Sequence, residues 1–438
     1  MAQSTLGRVV RYVNFAIAAV LVAALAAVWW FAWRPLPRKS GSVSAPVAGR
    51  VSILRDRLGV PHIRGASLEE VLFAQGYATA QERLFQMDGL RRLEAGDLAE
   101  IVGRQALEGD REARRLRIRR IAEEAAVSAS PADRAALAAY ARGVNEYIRT
   151  HLDRLPLEFS LLGYHPRPWS VVDSIIVGLH MFRTLTTTWE SDLARRGMQA
   201  AAGGTKAGAL FPPSSGGEAQ PGSNAWVVSG ARTASGKPVL SNDMHLDWSL
   251  PGVWFMVHLQ APGLHVAGVS LPGTPGVIAG HNERIAWGMT NLGYDVQDLY
   301  IEQFDDRTGR YVFRGGVEQA RREREIIRVK GAAPHEMVNW VTRHGPLVAA
   351  EGAERISLRW VASEAGAFAF PFLDINRARG WREFTAALER FPGPGSNFLY
   401  ADVDGNSGYP AAGRLPVRKT FTGDAPVDGS SGEHEWEG

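Results

Sequence analysis

A break in texture between Ala201 and Pro221 constrains this chain more than any other feature of its sequence. The stretch AAGGTKAGALFPPSSGGEAQP is made of small residues, Gly, Pro and Ser, and has no apolar period. Such a segment cannot build a core and reads as an exposed linker. Before it, apolar residues recur at helical spacing; after it, short apolar runs alternate with Gly, Pro, Asn and Asp. The two halves are therefore expected to fold differently, the first mainly as helices and the second mainly as strands.

In the first half, 51–63 predicts two strands about a turn at Leu58-Gly59. Ser67-Leu68-Glu69-Glu70 reads as a capping box, and apolar positions from Leu68 to Leu93 keep helical spacing until Gly96. His62 and Gln81 in this region are read as structural. Ser130-Pro131 and Ser170-Val171-Val172-Asp173 open two further helices. The run REARRLRIRR at 111–120 invites a nucleic-acid reading, but Asp110, Glu112, Glu123 and Glu124 lie within helical reach and no aromatic residue interleaves. It is expected to be a solvated helix face. A formal net charge of +3 likewise gives no reason to expect a nucleic-acid partner. In the second half, 224–228, 238–240, 253–259, 266–269, 285–289, 326–329, 356–360 and 398–403 predict strands, and 381–391 a helix.

The stretch NFAIAAVLVAALAAVWWFAW at 14–33 is uncharged and long enough to cross a bilayer as a helix. Arg8 and Arg11 precede it and Arg34, Arg38 and Lys39 follow. A cleaved export signal and a retained anchor both fit the basic flank. The length of the run and its Trp29-Trp30 end favour the anchor, which places the rest of the chain on the periplasmic side of the inner membrane; cleavage would leave it free in the periplasm. With no cysteine, disulfides and thiolate metal sites are excluded, and the compartment stays undecided on that score. The expected divisions are 1–40 for the anchor or signal, 41–200 for the helical part, 201–222 for the linker and 223–438 for the strand-rich part.

Where the linker meets the first strand stands Pro221-Gly222-Ser223-Asn224-Ala225-Trp226. A serine hydroxyl is a weak nucleophile until a base takes its proton. Cutting the chain between Gly222 and Ser223 would create an α-amine with a pKa of about 7.7 to 8.0, able to act as that base at neutral pH. Gly222 leaves its carbonyl open to the Ser223 hydroxyl. Gly-Ser-Asn also reads as a simple turn before a strand, and a second copy at Gly395-Ser396-Asn397 keeps both readings open.

Further motifs follow Ser223 in order: Ser241-Asn242-Asp243-Met244-His245, Pro272-Gly273-Thr274-Pro275-Gly276, Gly280-His281-Asn282, Ala286-Trp287-Gly288-Met289-Thr290-Asn291 and Asp295-Val296-Gln297-Asp298. With RDRLGVPHIRG and FAQGYATAQERLFQMDGLRR upstream, this register resembles the penicillin acylase family of N-terminal-nucleophile hydrolases. The resemblance implies an α+β fold, a four-layer αββα sandwich wrapped by a mainly helical first chain, with the two chains of an α/β heterodimer released from one precursor. It implies an amide hydrolase that cleaves itself at Gly222/Ser223 and deacylates a small N-acyl compound through Ser223. On the same footing His245 supports the new amine, and the backbone N–H of Asn291 donates to the oxyanion. Leu246, Ala279 and Met289 line the acyl pocket, with 182–185 from the first chain. Glu190, Asp295, Gln297 and Asp298 resemble ligands of a structural calcium ion. No organic cofactor is implied.

The family completes its oxyanion hole with an asparagine whose expected place falls beyond Gly438, so the chain reads as the first part of a longer protein, poorly active alone. Two rivals remain. A serine hydrolase with a His245 triad lacks a Gly-x-Ser-x-Gly elbow, and His335-Glu336-Met337-Val338-Asn339 lacks the second histidine of a zinc site. A membrane-tethered binding protein that keeps the acylase shell without its chemistry also fits.

Overall fold

The computed structural model describes residues 5–202, 222–246, 248–364 and 368–438. Most of the expected linker, 203–221, lies outside the described residues.

Ser67 caps the long helix Leu68–Ala95, its hydroxyl accepting from the Glu70 amide at 3.2 Å. Only that half of the capping box forms, because the Glu70 carboxylate accepts instead from the Ala66 amide at 2.9 Å. Gly96, at φ 67°, ends the helix in the left-handed conformation that glycine adopts freely. The helix crosses Pro131–His151 at backbone contact. A Cβ on Gly143 would lie 1.8 Å from the Phe73 carbonyl oxygen, and one on Gly76 2.1 Å from that of Tyr140. No side chain fits at either place.

That close pair grips the strand-rich half. The buried Gln75 carboxamide donates to the Gly276 carbonyl at 3.0 Å and accepts from the Gly276 amide at 2.8 Å. Tyr140 accepts from the Gly273 amide at 3.0 Å. Nearby, Ser52–Arg55 and Pro61–Arg64 form the expected hairpin. Its second strand joins Phe255–Ala261 in parallel, with His62 opposite His258. Their Nδ1 atoms are 2.8 Å apart. Gln81 donates to the Arg38 carbonyl at 3.0 Å.

The hairpin thus extends a nine-stranded mixed sheet whose order continues through Leu264–Ser270, Ala279–Asn282, Ile285–Asn291 and Ser396–Asp402. One face packs Val257, Leu259, Val266, Trp287 and Phe398 against Val71, Ala74 and Ala78 of the long helix and Phe384 of Trp381–Leu388. A second sheet, of six strands, runs from Arg321–Ile327 to Val427–Asp428. Its Leu299, Ile356 and Leu358 pack on Ile121, Ile175 and Phe182 of the helices Ile118–Ser128 and Val171–Thr186. The fold is α+β, with sheets flanked by helices and one apolar helix ahead of them. That first helix, Thr5–Val28, continues through Trp33, and none of Gly7–Trp33 is buried. It fits either a signal sequence or an anchor.

Two expectations are corrected. The arginines at 111–120 do not form a solvated face. Helix Leu107–Arg115 ends, Arg117 takes a left-handed turn at φ 61°, and a new helix starts at Ile118. Arg114 donates to Glu325 at 2.8 Å, the buried Arg117 to Glu323 at 2.9 and 3.0 Å, and Arg120 to Glu325 at 2.8 Å. The strand expected at 326–329 is Arg321–Ile327, whose inward positions are Glu323, Glu325 and Ile327. Its buried carboxylates hide it from any apolar pattern.

In the second sheet His344 is fully buried between two carboxylates, with Nδ1 2.9 Å from Glu302 and Nε2 2.7 Å from Glu435. Burial alone would push its pKa down; the hydrogen bonds to Glu302 and Glu435 outweigh it and hold the imidazole above its ordinary value. A raised folded-state pKa gives stability that is fully present below the unfolded value of about 6.5 and is lost as pH rises through the folded value. His344→Gln is therefore expected to lose about 3 kcal/mol at pH 6, where it removes the cation between the buried Glu302 and the half-buried Glu435, and less at pH 9. Urea unfolding at the two pH values measures it; an equal loss at both would contradict the assignment.

Candidate functional site

The strand Gly222–Val228 pairs antiparallel with Val239–His245, setting Gly222 opposite His245, Ser223 opposite Met244 and Asn224 opposite Asp243. Alternation then sorts the side chains onto two faces. Ser223, Met244, Ala225 and Asn242 turn toward the large sheet. Trp226, Asp243 and His245 turn outward and are exposed.

Asn242 fastens the hairpin. Its side chain accepts from the Met289 amide at 3.0 Å, donates to the Met289 carbonyl at 3.0 Å and donates to the Asn224 carbonyl at 3.0 Å. Gly288 makes room, since a Cβ there would lie 2.8 Å from that of Asn242. The sequence signal for this residue was its inward place on an alternating strand, which a motif read only for its histidine passes over.

Ser223 lies on the wall of a cavity of about 280 Å³. Leu246, Met289 and Asn291 line it too, as do Phe182 and Leu185 from the helix Val171–Thr186. Ala279 is not among the lining residues: it is buried in its strand, and its neighbour Ile278 faces the cavity instead. Trp254, Phe372 and Phe391 complete an apolar wall that the motifs did not point to. Phe182 is seated against Gly393, where a Cβ would lie 2.5 Å from its ring. Asn291 donates from its side chain to the Leu185 carbonyl at 3.1 Å, which ties strand to helix.

His245 stands apart from the Ser223 side chain. Its ring lies over Gly222, and a Cβ on that glycine would be 2.3 Å from Nε2. Its Nδ1 is 3.1 Å from an Asp243 carboxylate oxygen.

The calcium expectation is overturned. Among the described residues no group of three or more His, Asp or Glu side chains is arranged to hold a metal ion. A guanidinium supplies the positive charge instead. Arg418 donates to Asp298 at 2.7 Å and pairs with Asp295 at 3.0 Å, while the Trp436 indole donates to Asp298 at 2.6 Å. The Gln297 side chain is occupied by the Thr188 and Trp189 amides at 2.9 and 3.4 Å. Glu190 is exposed, and the charged groups that act on it are Glu112 and Arg183. The carboxylate that does face Asp295 is Asp192, two residues on. Burial, then repulsion from Asp295, pushes Asp192 up to about 7. Burial also raises Asp295, to about 6, against the pull of Arg418.

Residues 50–438 match the family described as penicillin amidase. The acyl-homoserine lactone acylase QuiP of Pseudomonas aeruginosa is 34% identical over 459 residues, covering 92% of this chain and 54% of that protein. The penicillin acylase 2 proenzyme of a Pseudomonas species is 32% identical over 447 residues, 92% of this chain and 57% of the other. Penicillin G acylase of Escherichia coli is 25% identical over 485 residues, covering 89% and 57%. The chain spans about half the length of the curated relatives it matches.

The Asp192 environment has a measurable consequence. A carboxylate whose folded pKa is raised holds a proton that the unfolded chain releases near pH 4, so stability falls as pH climbs from there to about 7. Asp192→Asn is expected to add on the order of 2 kcal/mol at pH 8 and nothing near pH 4. Thermal melts across that range check it; a flat difference between the two proteins would show that the charge is not the cause.

Proposed function

The chain belongs to the penicillin amidase family, and on that footing we propose that it is an N-terminal-serine amide hydrolase that matures by cleaving itself between Gly222 and Ser223. The observation that carries this reading is the placement of Ser223 at the wall of an apolar cavity, on the first strand after the linker. In the precursor the Ser223 hydroxyl attacks the Gly222 carbonyl. Once the bond is cut, the freed α-amine, with a pKa of about 7.7 to 8.0, takes the proton from the same residue's hydroxyl. The hydroxyl then attacks the carbonyl of a bound amide, the leaving amine departs with a proton, and water releases the acyl group.

The backbone N–H of Asn291 is the proposed donor to the oxyanion, the charge whose stabilisation dominates acyl transfer. The cavity receives the acyl group, with Leu246, Met289, Phe182 and Leu185 against it. An apolar lining suits an aliphatic or aromatic acyl group better than a charged one. The names of the relatives, an acyl-homoserine lactone acylase and penicillin acylases, agree with that class. The helix through Gly7–Trp33 would hold the protein to the inner membrane with its catalytic part in the periplasm. The two fragments would stay together as a heterodimer, joined by the parallel strands at His62 and His258 and by Gln75 on Gly276.

Expression of the full-length gene product tests the reading. Intact mass is expected to show two fragments divided at Gly222/Ser223, and Ser223→Ala to leave one. A phenylacetyl and lauroyl anilide panel then reads hydrolysis, which Ser223→Ala should reduce by at least about a thousandfold. Hydrolysis by a chain that stays whole at that junction would overturn the mechanism.

A further inference from the structure

During self-cleavage the α-amine that later serves as base does not yet exist, because it is still the amide nitrogen being cut. Some other group must handle the proton. Strand alternation decides which proton that is. The Ser223 hydroxyl and Met244 side chain are on the cavity face, whereas His245 is on the opposite face, with Nε2 in the place a Gly222 Cβ would take. An imidazole so placed is badly located to take a proton from the hydroxyl. It is well located to give one to the nitrogen of the Gly222–Ser223 peptide, which must be protonated before its bond to carbon can break.

Resting on the self-cleavage reading, we propose that Asp243 is a positioning residue for maturation: it holds His245 as a proton donor to the departing Ser223 nitrogen. Asp243 and His245 are two apart on one strand, hence on one face, and Nδ1 is 3.1 Å from the carboxylate. Among the described residues, Asp243 is the ion-pair partner of His245. The carboxylate accepts from Nδ1–H, so Nε2 is the nitrogen turned to the peptide. Gly222 completes the device, since any larger residue would displace the ring.

The step balances. The Ser223 oxygen bonds to the Gly222 carbonyl carbon and loses its proton to water; the nitrogen takes a proton from His245 and the C–N bond breaks, leaving an ester. Water then adds to the ester carbonyl, the C–O bond breaks with its proton returned to the Ser223 oxygen, and His245 regains a proton from solvent. The products are the Gly222 carboxylate and a free Ser223 amine.

Cell-free synthesis of the full-length gene product, with intact mass read over time, tests the proposal. Asp243→Asn should slow cleavage by about tenfold or more, and Asp243→Glu, which keeps the carboxylate, should restore most of the rate. Asp243 is exposed, so neither change is expected to disturb folding, and far-UV circular dichroism of the products checks this. A wild-type rate in Asp243→Asn would overturn the proposal while leaving self-cleavage intact. Equal slowing in both variants would overturn it as well, by reducing Asp243 to a structural role. A wild-type chain that stays whole would remove the self-cleavage reading and this step with it.

Discussion

The contact on which the molecule most depends is the Gln75 carboxamide against both backbone groups of Gly276. It is buried, so both ends must be satisfied or the group is a liability of several kcal/mol. Gln75 stands on the helix Leu68–Ala95 beside Gly76, which with Gly143 lets that helix and Pro131–His151 meet at backbone distance. Tyr140 on the second helix holds Gly273 a few residues away. A small error in helix packing would therefore carry into the loop that precedes Val277 and Ile278, and so into the cavity wall. The Arg114 and Arg117 pairs with Glu325 and Glu323 fix the same halves together at another point, around the second sheet. If the chain is cut between its halves as proposed, these joints are what would hold the pieces together, because no covalent link would remain across them.

Much of this was legible in the residues. The hairpin at the start, the helix that stops at Gly96, the caps at Ser130 and Ser170 and the strands around Ile285 and Phe398 all follow from local rules of turn chemistry and apolar period. What escaped was structure made of charge. Arg321–Ile327 is a half-buried strand whose inward residues are glutamates, and their partners are arginines more than two hundred positions earlier. Neither side carries a pattern by itself; each is intelligible only once the other is in place. The same limit applied to the site. Ser223 could be singled out from its position, but the rotation of His245 to the far face is a property of strand register, which a list of motifs does not contain.

The carboxylates at 295 and 298 show how a family likeness can mislead about a single position. Oxygen-bearing residues were present in the expected order, yet Arg418, Trp436 and two backbone amides use those oxygens in the structure. Residue types give a capacity to bind, and geometry decides what is bound. Here the cation is the protein's own, and Asp192 is left with a raised affinity for a proton.

The two-faced hairpin has a further consequence. Because one ribbon turns Ser223 and Met244 inward and Asp243 and His245 outward, acyl recognition and precursor processing would, on the proposed mechanism, draw on alternate residues. The chamber could then be retuned through inward positions such as Met244 without disturbing the outward pair.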